Sequence, residues 1–407
     1  MRSWLRNLGP GVLVSAAFIG PGTVTICTLA GVNFGFSLLW ALLLSIVACI
    51  VLQEMAARLG LITQSGLSDV IRRELKNPIF RTLAVLLIFA AIVLGNAAYE
   101  AGNISGAVLG VSAILPAKMV ELGPVNVNLW SLLIGFLAFL LLLLGNYKIL
   151  ERVFIGLVVL MSLCFLITAI LVKPDLLSLL KGLFIPSQGS AGILTVMALV
   201  GTTVVPYNLF LHASLVSEKW KNREDLKTVR KELFWAILLG GIVSMAIVIT
   251  AAASGLSEVQ NAADFAVSLE PVFGAYATWF IGLGLFAAGI TSSITAPLAA
   301  AYVVSGCLGW KKGLTSIRFK MVWAGVLLLG MIFSSLGFRP VEVIKFAQVA
   351  NGILLPVVAF FLFWIVNRSS VMGSYRNSLS QNILALLVLG ITVFLGAKSI
   401  WTILQGL

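Results

Sequence analysis

Eleven runs of about 20 mostly apolar residues follow one another along the chain, the length needed to cross a bilayer as a helix. They begin near residues 11, 36, 82, 128, 153, 191, 232, 275, 319, 341 and 380. Only 10% of the residues are charged and the mean hydropathy is +1.08, whereas soluble proteins carry about 25% charged residues. The pattern predicts an all-α integral membrane protein with 11 transmembrane helices in a single transmembrane domain, residues 1–407.

The basic residues between the runs predict how the chain is oriented. With the N-terminus inside, 21 of the 27 Lys and Arg residues lie on the internal side. Because positive charge is retained on the cytoplasmic side, we expect a multi-pass protein of the cell membrane with a cytoplasmic N-terminus and an external C-terminus. This placement also argues against a nucleic-acid partner, despite the net charge of +12. The remaining six basic residues are Lys118, Lys173, Lys181, Arg339, Lys345 and Lys398.

Two of the apolar runs contain helix breakers. Gly20, Pro21 and Gly22 interrupt the first run, and Pro206 interrupts the sixth within "ALVGTTVVPYNLFLHASLV". A lone proline is often only a kink, but an unpaired backbone group in hydrocarbon needs protein or water to satisfy it. If residues 1–175 and 190–367 are two five-helix repeats, each break lies in the first helix of its repeat. Paired breaks of this kind hold the substrate in inverted-repeat transporters.

Longer stretches resemble the Nramp family of divalent metal transporters. The likeness covers "GPGVLVSAAFIGPGTVTICTLAGVNFGFSLLWALLLSIVACIVLQEMAARLGLIT", "VVPYNLFLHASLV", "GLFAAGITSSITAPLA" and "FAQVANGILLPVV", spread over nearly the whole chain. The resemblance implies a five-plus-five inverted repeat of the amino acid-polyamine-organocation type with broken helices 1 and 6. Residues 380–402 would form an additional helix 11. It also implies import of a divalent metal by alternating access, with H⁺ or Na⁺ as coupling ion.

The sequence departs from the family at both breaks. Nramp proteins carry DPGN in the first helix and MPHN in the sixth, whose Asp, Asn and Met ligate the metal. Here Gly20, Thr23, Val205 and Tyr207 stand at the Asp, Asn, Met and His positions. Without a carboxylate or sulfur ligand, desolvating a dication is costly, so we assign no metal ligand. The alternative is a small amino acid or organic anion, whose carboxylate would bind the half-helix N-termini.

Candidate site residues follow from the two breaks and from the few polar groups inside the spans. Gln348 matches a family glutamine near the site, although it and Asn351 could instead only join helices. Glu100 and His212 match family residues on helices 3 and 6 and are candidates for proton or ion coupling, with structural hydrogen bonding as the alternative. The candidate substrate-binding residues are Gly20, Gly22, Thr23, Thr202, Val205, Tyr207, Asn208, Gln348 and Asn351.

Other classes of function are less well supported by the sequence. An enzyme would need a catalytic constellation, and no recognised cluster surrounds the one histidine, so we expect neither an enzyme nor a cofactor. A non-transporting sensor is a minor alternative, since the chain carries no soluble domain through which to signal. The expected partners are therefore the lipid bilayer and a small solute or metal ion. The four scattered cysteines are expected to be packing residues.

The predicted orientation can be tested with impermeant maleimide on intact cells. In a variant whose four cysteines are replaced by alanine, we expect Lys173→Cys to be labelled from outside. Lys221→Cys should react only after the membrane is permeabilised, because the basic loop around it is cytoplasmic. Labelling of Lys221→Cys in sealed cells would reverse the orientation.

Overall fold

The computed structural model describes residues 19–116, 118–122, 125–145, 148–187, 192–310, 313 and 315–405. Within these ranges, nine helical segments are long and apolar enough to cross a membrane, and Leu129–Leu144 is a shorter apolar helix. The first run contributes Pro21–Phe34, the half that follows the break. Residues 11–18, where we expect the preceding half, lie outside the described residues. In the described part of the chain, the predicted spans are confirmed.

The first predicted repeat contains spans 1 to 5. A π-helical turn, Ala90–Leu94, joins the two halves of the third span. Span 4 has only 16 residues. The helices are α1 Pro21–Phe34, α2 Leu39–Thr63, α3 Leu67–Glu74, α4 Pro78–Phe89, α5 Gly95–Ile114, α6 Leu129–Leu144 and α7 Lys148–Leu171.

The second half of the chain contains spans 6 to 11. Span 6 consists of two helices separated by Val204 and Val205, and spans 8 and 10 contain prolines within continuous helices. The helices are α8 Leu176–Phe184, α9 Ile193–Thr203, α10 Pro206–Lys219, α11 Leu226–Ala252, α12 Ala262–Val267, α13 Glu270–Phe273, α14 Ala277–Leu308, α15 Ile317–Ser335, α16 Pro340–Val366, α17 Ser369–Met372 and α18 Leu379–Gln405.

Among the elements between the spans that were not anticipated from the sequence are a β-hairpin and helix α8. Strands β1 Met119–Leu122 and β2 Val125–Asn128 form an antiparallel hairpin between spans 3 and 4, with Met119 opposite Asn128. Helix α8 is a short helix between spans 5 and 6, capped by Asp175, whose carboxylate accepts the backbone N–H of Ser178 at 2.9 Å. Both elements are too short to cross a bilayer, so a search for long apolar runs does not detect them.

The third span is central to the helix packing. Helix α5 packs most extensively against α14, α16 and α15, while α1 packs against α11 and α9 packs against α16. Glycines make these contacts close. A Cβ at Gly201 of α9 would lie 2.0 Å from the carbonyl oxygen of Gln348 in α16. Small residues let membrane helices approach to backbone contact, so this glycine sets the spacing of spans 6 and 10.

A buried ion pair connects the C-terminal half of α2 to two other segments. Arg58, 1% exposed, donates from Nε to Glu54 Oε1 at 3.0 Å, one helical turn earlier in α2. The same guanidinium donates to the carbonyl of Tyr375 and, at 2.6 Å, to Asn377 Oδ1. Glu54 also accepts from Arg230 Nη2 at 2.7 Å. Span 2 is therefore fixed both to the start of α11 and to the segment leading into α18.

All four cysteines are buried, as expected for packing residues.

Replacing Gly201 by valine tests the backbone contact between spans 6 and 10. We expect Gly201→Val to destabilise the folded protein by about 1–3 kcal/mol, because the added methyl groups must displace the α16 backbone. The measurement is the midpoint of thermal aggregation in detergent, followed by size-exclusion chromatography.

The matched control is Gly390→Val in α18, where a Cβ would meet no atom within 4 Å. This variant should melt within a degree or so of the unmodified protein, since surface substitutions away from special features cost about 0.5 kcal/mol or less. Equal midpoints for the two variants would contradict the proposed packing constraint.

Candidate functional site

The two breaks have matching local structure. Gly20 is in an extended conformation, with φ −86° and ψ 175°, and α1 begins at Pro21. Val205 is likewise extended, with φ −73° and ψ 123°, and α10 begins at Pro206. Proline suits the first position of a helix because its missing N–H would be unpaired there anyway. The prolines therefore start new half-helices within the membrane span, as the sequence predicts.

The breaks meet across the structure. The hydroxyls of Thr23 and Thr202 are hydrogen-bonded at 2.9 Å, although the residues are 179 positions apart. Gln348 of α16 completes the contact, because a Cβ at Gly22 would lie 2.2 Å from its Nε2 atom and 3.3 Å from the hydroxyl oxygen of Thr202. Glycine at position 22 is thus required for Gln348 to lie against the backbone of α1.

All of the predicted substrate-binding residues are buried. None of those with side chains is more than 2% exposed, so the residues at the breaks are out of contact with solvent in this conformation. The side-chain values are Thr23 2%, Thr202 1%, Val205 0%, Tyr207 1%, Asn208 0%, Gln348 1% and Asn351 2%. Direct contacts join Gly22, Thr23, Thr202 and Gln348, whereas Asn208 and Asn351 are positioned by their helices.

Several buried polar atoms near the breaks lack a hydrogen-bond partner within the described part of the chain. They include the Nδ2 and Oδ1 atoms of Asn208, the Oε1 atom of Gln348 and the Nδ2 atom of Asn351. An unsatisfied buried polar group costs about 1–3 kcal/mol. Such a concentration at two helix breaks is typical of a site that binds a polar ligand.

The site carries no concentrated negative charge. The first turns of α1 and α10 contain no acidic residue. Among the described residues, no group of three or more His, Cys, Asp or Glu side chains lies close enough to hold a metal ion. Neutral hydroxyl, amide and carbonyl oxygens are therefore the groups that these helices offer to a cation.

Glu100 lies in the scaffold of helices beside the breaks. It is 0% exposed, and its Oε2 atom accepts a hydrogen bond from Asn103 Nδ2 at 3.3 Å. A Cβ at Gly330 of α15 would lie 2.4 Å from its Cγ atom, so this glycine leaves the space that the carboxyl group occupies. The π-helical turn ends one residue before Gly95, where α5 begins. The turn therefore determines how α5, which carries Glu100, is rotated about its helix axis.

His212 lies on the other side of the breaks, in α10. Its Nδ1 atom donates a hydrogen bond to Gln53 Oε1 of α2 at 2.7 Å. The ring is 1% exposed. Because an amide oxygen only accepts, this bond places the proton of a neutral imidazole on Nδ1 and leaves the Nε2 lone pair available.

Sequence reasoning missed two residues of this region. Tyr99, next to Glu100, packs edge to face against Tyr207 with ring centroids 5.4 Å apart. Gln53 is the partner of His212, 159 positions away in the chain. The signal for Gln53 was an amide among the mostly apolar residues of span 2, whereas nothing in the sequence indicated that Tyr99 faces span 6.

Comparisons with known proteins agree with this architecture. The Divalent metal cation transporter MntH of Bacillus subtilis is 25% identical over 412 residues, covering 97% of this chain and 92% of that protein. A crystal structure of the Eremococcus coleocola manganese transporter superposes with a TM-score of 0.77 at 21% identity, covering 98% of this chain and 88% of that one. MhsT in complex with L-phenylalanine superposes with a TM-score of 0.62 at 15% identity, covering 97% and 98%.

These solved structures show that the fold is the five-plus-five inverted repeat expected from the sequence. A sequence model of a protein family, described as natural resistance-associated macrophage protein-like, matches residues 11–402 of this chain. That match spans nearly every helix described above, including both breaks. The chain is a multi-pass membrane protein that belongs to the natural resistance-associated macrophage protein-like family, Nramp.

Proposed function

We propose that this protein is a secondary transporter that moves a divalent metal cation across the cell membrane by alternating access. The observation that carries the proposal is the meeting of two half-helices inside the membrane, joined by the Thr23–Thr202 hydrogen bond of 2.9 Å. Paired discontinuities of this kind form the substrate site of inverted-repeat transporters. The choice of a divalent cation rests on the family and on relatives named as divalent metal and manganese transporters.

The residues at the breaks restrict how such a cation would be held. The side-chain oxygens that they offer are neutral, from Thr23, Thr202, Asn208 and Gln348, and Val205 offers none. Neutral oxygen ligands suit hard cations such as Mg²⁺ and Mn²⁺ better than soft ones, which prefer sulfur and imidazole. We therefore expect the cation to keep part of its hydration shell when it binds between the breaks.

We propose H⁺ as the coupling ion, carried by Glu100, His212 or both. Each is a titratable group buried beside one of the breaks, and each is hydrogen-bonded to a neutral amide, Glu100 to Asn103 and His212 to Gln53. A carboxyl group inside a membrane protein is costly to maintain unless it serves a function. We propose that the protein imports its substrate and that its N-terminus lies in the cytoplasm.

A second candidate substrate is a small amino acid or organic acid. The observation that favours it is the absence of acidic residues from the first turns of α1 and α10, both of which begin at a proline. Half-helix N-termini carry partial positive charge, so without a built-in aspartate they favour an external carboxylate.

Metal accumulation tests the proposed site. In cells that express the protein in a medium containing small organic acids, we expect metal content to rise above that of vector controls, measured by mass spectrometry. Thr202→Val removes a hydroxyl oxygen without changing side-chain shape. It should raise the metal concentration for half-maximal accumulation about tenfold, the equivalent of 1.4 kcal/mol.

The control is Thr392→Val in α18, which removes a buried hydroxyl that bonds only within its own helix, to the carbonyl of Leu389 at 3.0 Å. This change should leave accumulation unaltered. No metal accumulation by the unmodified protein at normal expression would reject the divalent cation.

Proton coupling predicts a dependence on external pH. Lowering the external pH by one unit should accelerate metal accumulation, because the inward proton gradient increases. Glu100→Gln keeps the shape of the side chain but cannot carry the proton, so we expect its uptake rate to become independent of external pH. Glu121→Gln, in the exposed β1 strand, should retain the pH response. A pH response that survives in Glu100→Gln would exclude Glu100 as the carrier.

A further inference from the structure

The residues around the breaks are unsuited to a bare ion of either sign. The nine candidate substrate-binding residues are all uncharged, and each of their side chains is buried. A dication placed among them would have no carboxylate to offset its lost hydration, and a lone carboxylate would have no basic side chain. A ligand of little or no net charge avoids both costs.

The unpartnered atoms indicate what such a ligand must offer. Asn208 has an unpartnered amide nitrogen and an unpartnered amide oxygen, Asn351 has an unpartnered nitrogen, and Gln348 has an unpartnered oxygen. A bare metal ion bonds only lone pairs, and a bare carboxylate bonds only donors. A site with both donors and acceptors fits a ligand that offers anionic oxygens as well as O–H groups. The O–H groups can belong to water molecules bound to a hydrated metal ion.

One end of the site is suited to the anionic part. Helix α1 has 14 residues and begins at Pro21, so its first-turn N–H groups face the break. The amide of Gln348, 1% exposed, is aimed at the same place, with Nε2 against Gly22. Glycine at position 22 lets the Gln348 amide lie against the start of α1, so the amide and the first-turn N–H groups form one set of donors for an anionic oxygen at the break.

We propose that the protein carries its divalent cation as a 1:1 complex with a small dicarboxylate. The complex is neutral, and the substrate itself supplies the carboxylate that the chain lacks at Gly20. The inference rests on the proposed function, since it assumes that a divalent cation is carried. The dicarboxylate lies toward the N-terminus of α1, and the hydrated cation lies toward the oxygens of Asn208 and Gln348.

The test is a double-label uptake experiment with purified protein in liposomes. Radioactive Mn²⁺ and carbon-14 malate are supplied separately and together, with malate in excess so that most of the metal is complexed. We expect both labels to accumulate only when supplied together, in a 1:1 ratio and saturably. The rate of each label supplied alone should be at least tenfold lower.

Two substitutions at Gly20 separate charge from shape. Gly20 has the extended conformation of a helix N-cap, which both Asp and Asn favour. Gly20→Asp supplies a fixed carboxylate, so we expect Mn²⁺ uptake without malate and at least a tenfold loss of malate uptake. Gly20→Asn has nearly the same shape without the charge, and it should still require both components.

The outcomes distinguish this inference from the proposed function. Equal Mn²⁺ uptake with and without malate would overturn the paired substrate and leave the divalent cation standing. Saturable uptake of malate alone would overturn both and favour the organic-acid candidate. Failure of both labels to accumulate, in protein that still raises the metal content of cells, would overturn the dicarboxylate complex. An unchanged malate requirement in Gly20→Asp would also overturn it.

Discussion

The organisation of this protein depends on satisfying backbone polar groups inside a membrane. A helix that stops within hydrocarbon leaves N–H and C=O groups that water cannot reach, so each break must be enclosed by other helices. Here the two breaks enclose each other, through the Thr23–Thr202 hydrogen bond, and Gln348 lies against Gly22. The close packing of spans 6 and 10 at Gly201 and the central position of α5 follow from that enclosure.

Charge is distributed unevenly around this centre. The breaks themselves are lined by neutral side chains, while the buried carboxyl group of Glu100 lies among the helices beside them. A buried guanidinium, that of Arg58, is satisfied in the C-terminal half of α2 by Glu54 and by Asn377. The family scaffold is retained here with an uncharged centre. Because the breaks offer only neutral oxygens and amides, the substrate that we propose for them carries its own counter-charge.

Most of the fold could be predicted from the sequence, because apolar runs of about 20 residues have one stable solution in a bilayer. Pro21 and Pro206 also marked the half-helix starts, since proline both ends the preceding hydrogen-bond pattern and suits a first turn. The β1–β2 hairpin, helix α8 and the π-helical turn at Ala90–Leu94 were not predicted. They are short and lie beside or within apolar runs, so their local sequence has no distinct hydrophobic period.

By itself, the sequence determined the number of spans, the position of the breaks and the replacement of the family's metal-ligating side chains at Gly20, Thr23 and Val205. Only the tertiary structure decided which buried groups meet: His212 with Gln53, and Tyr99 with Tyr207. The physical reason is that every face of a membrane helix can be apolar, so hydropathy does not distinguish a face toward lipid from one toward another helix. Close contacts at individual glycines select the neighbouring faces, and those contacts exist only once the helices are assembled.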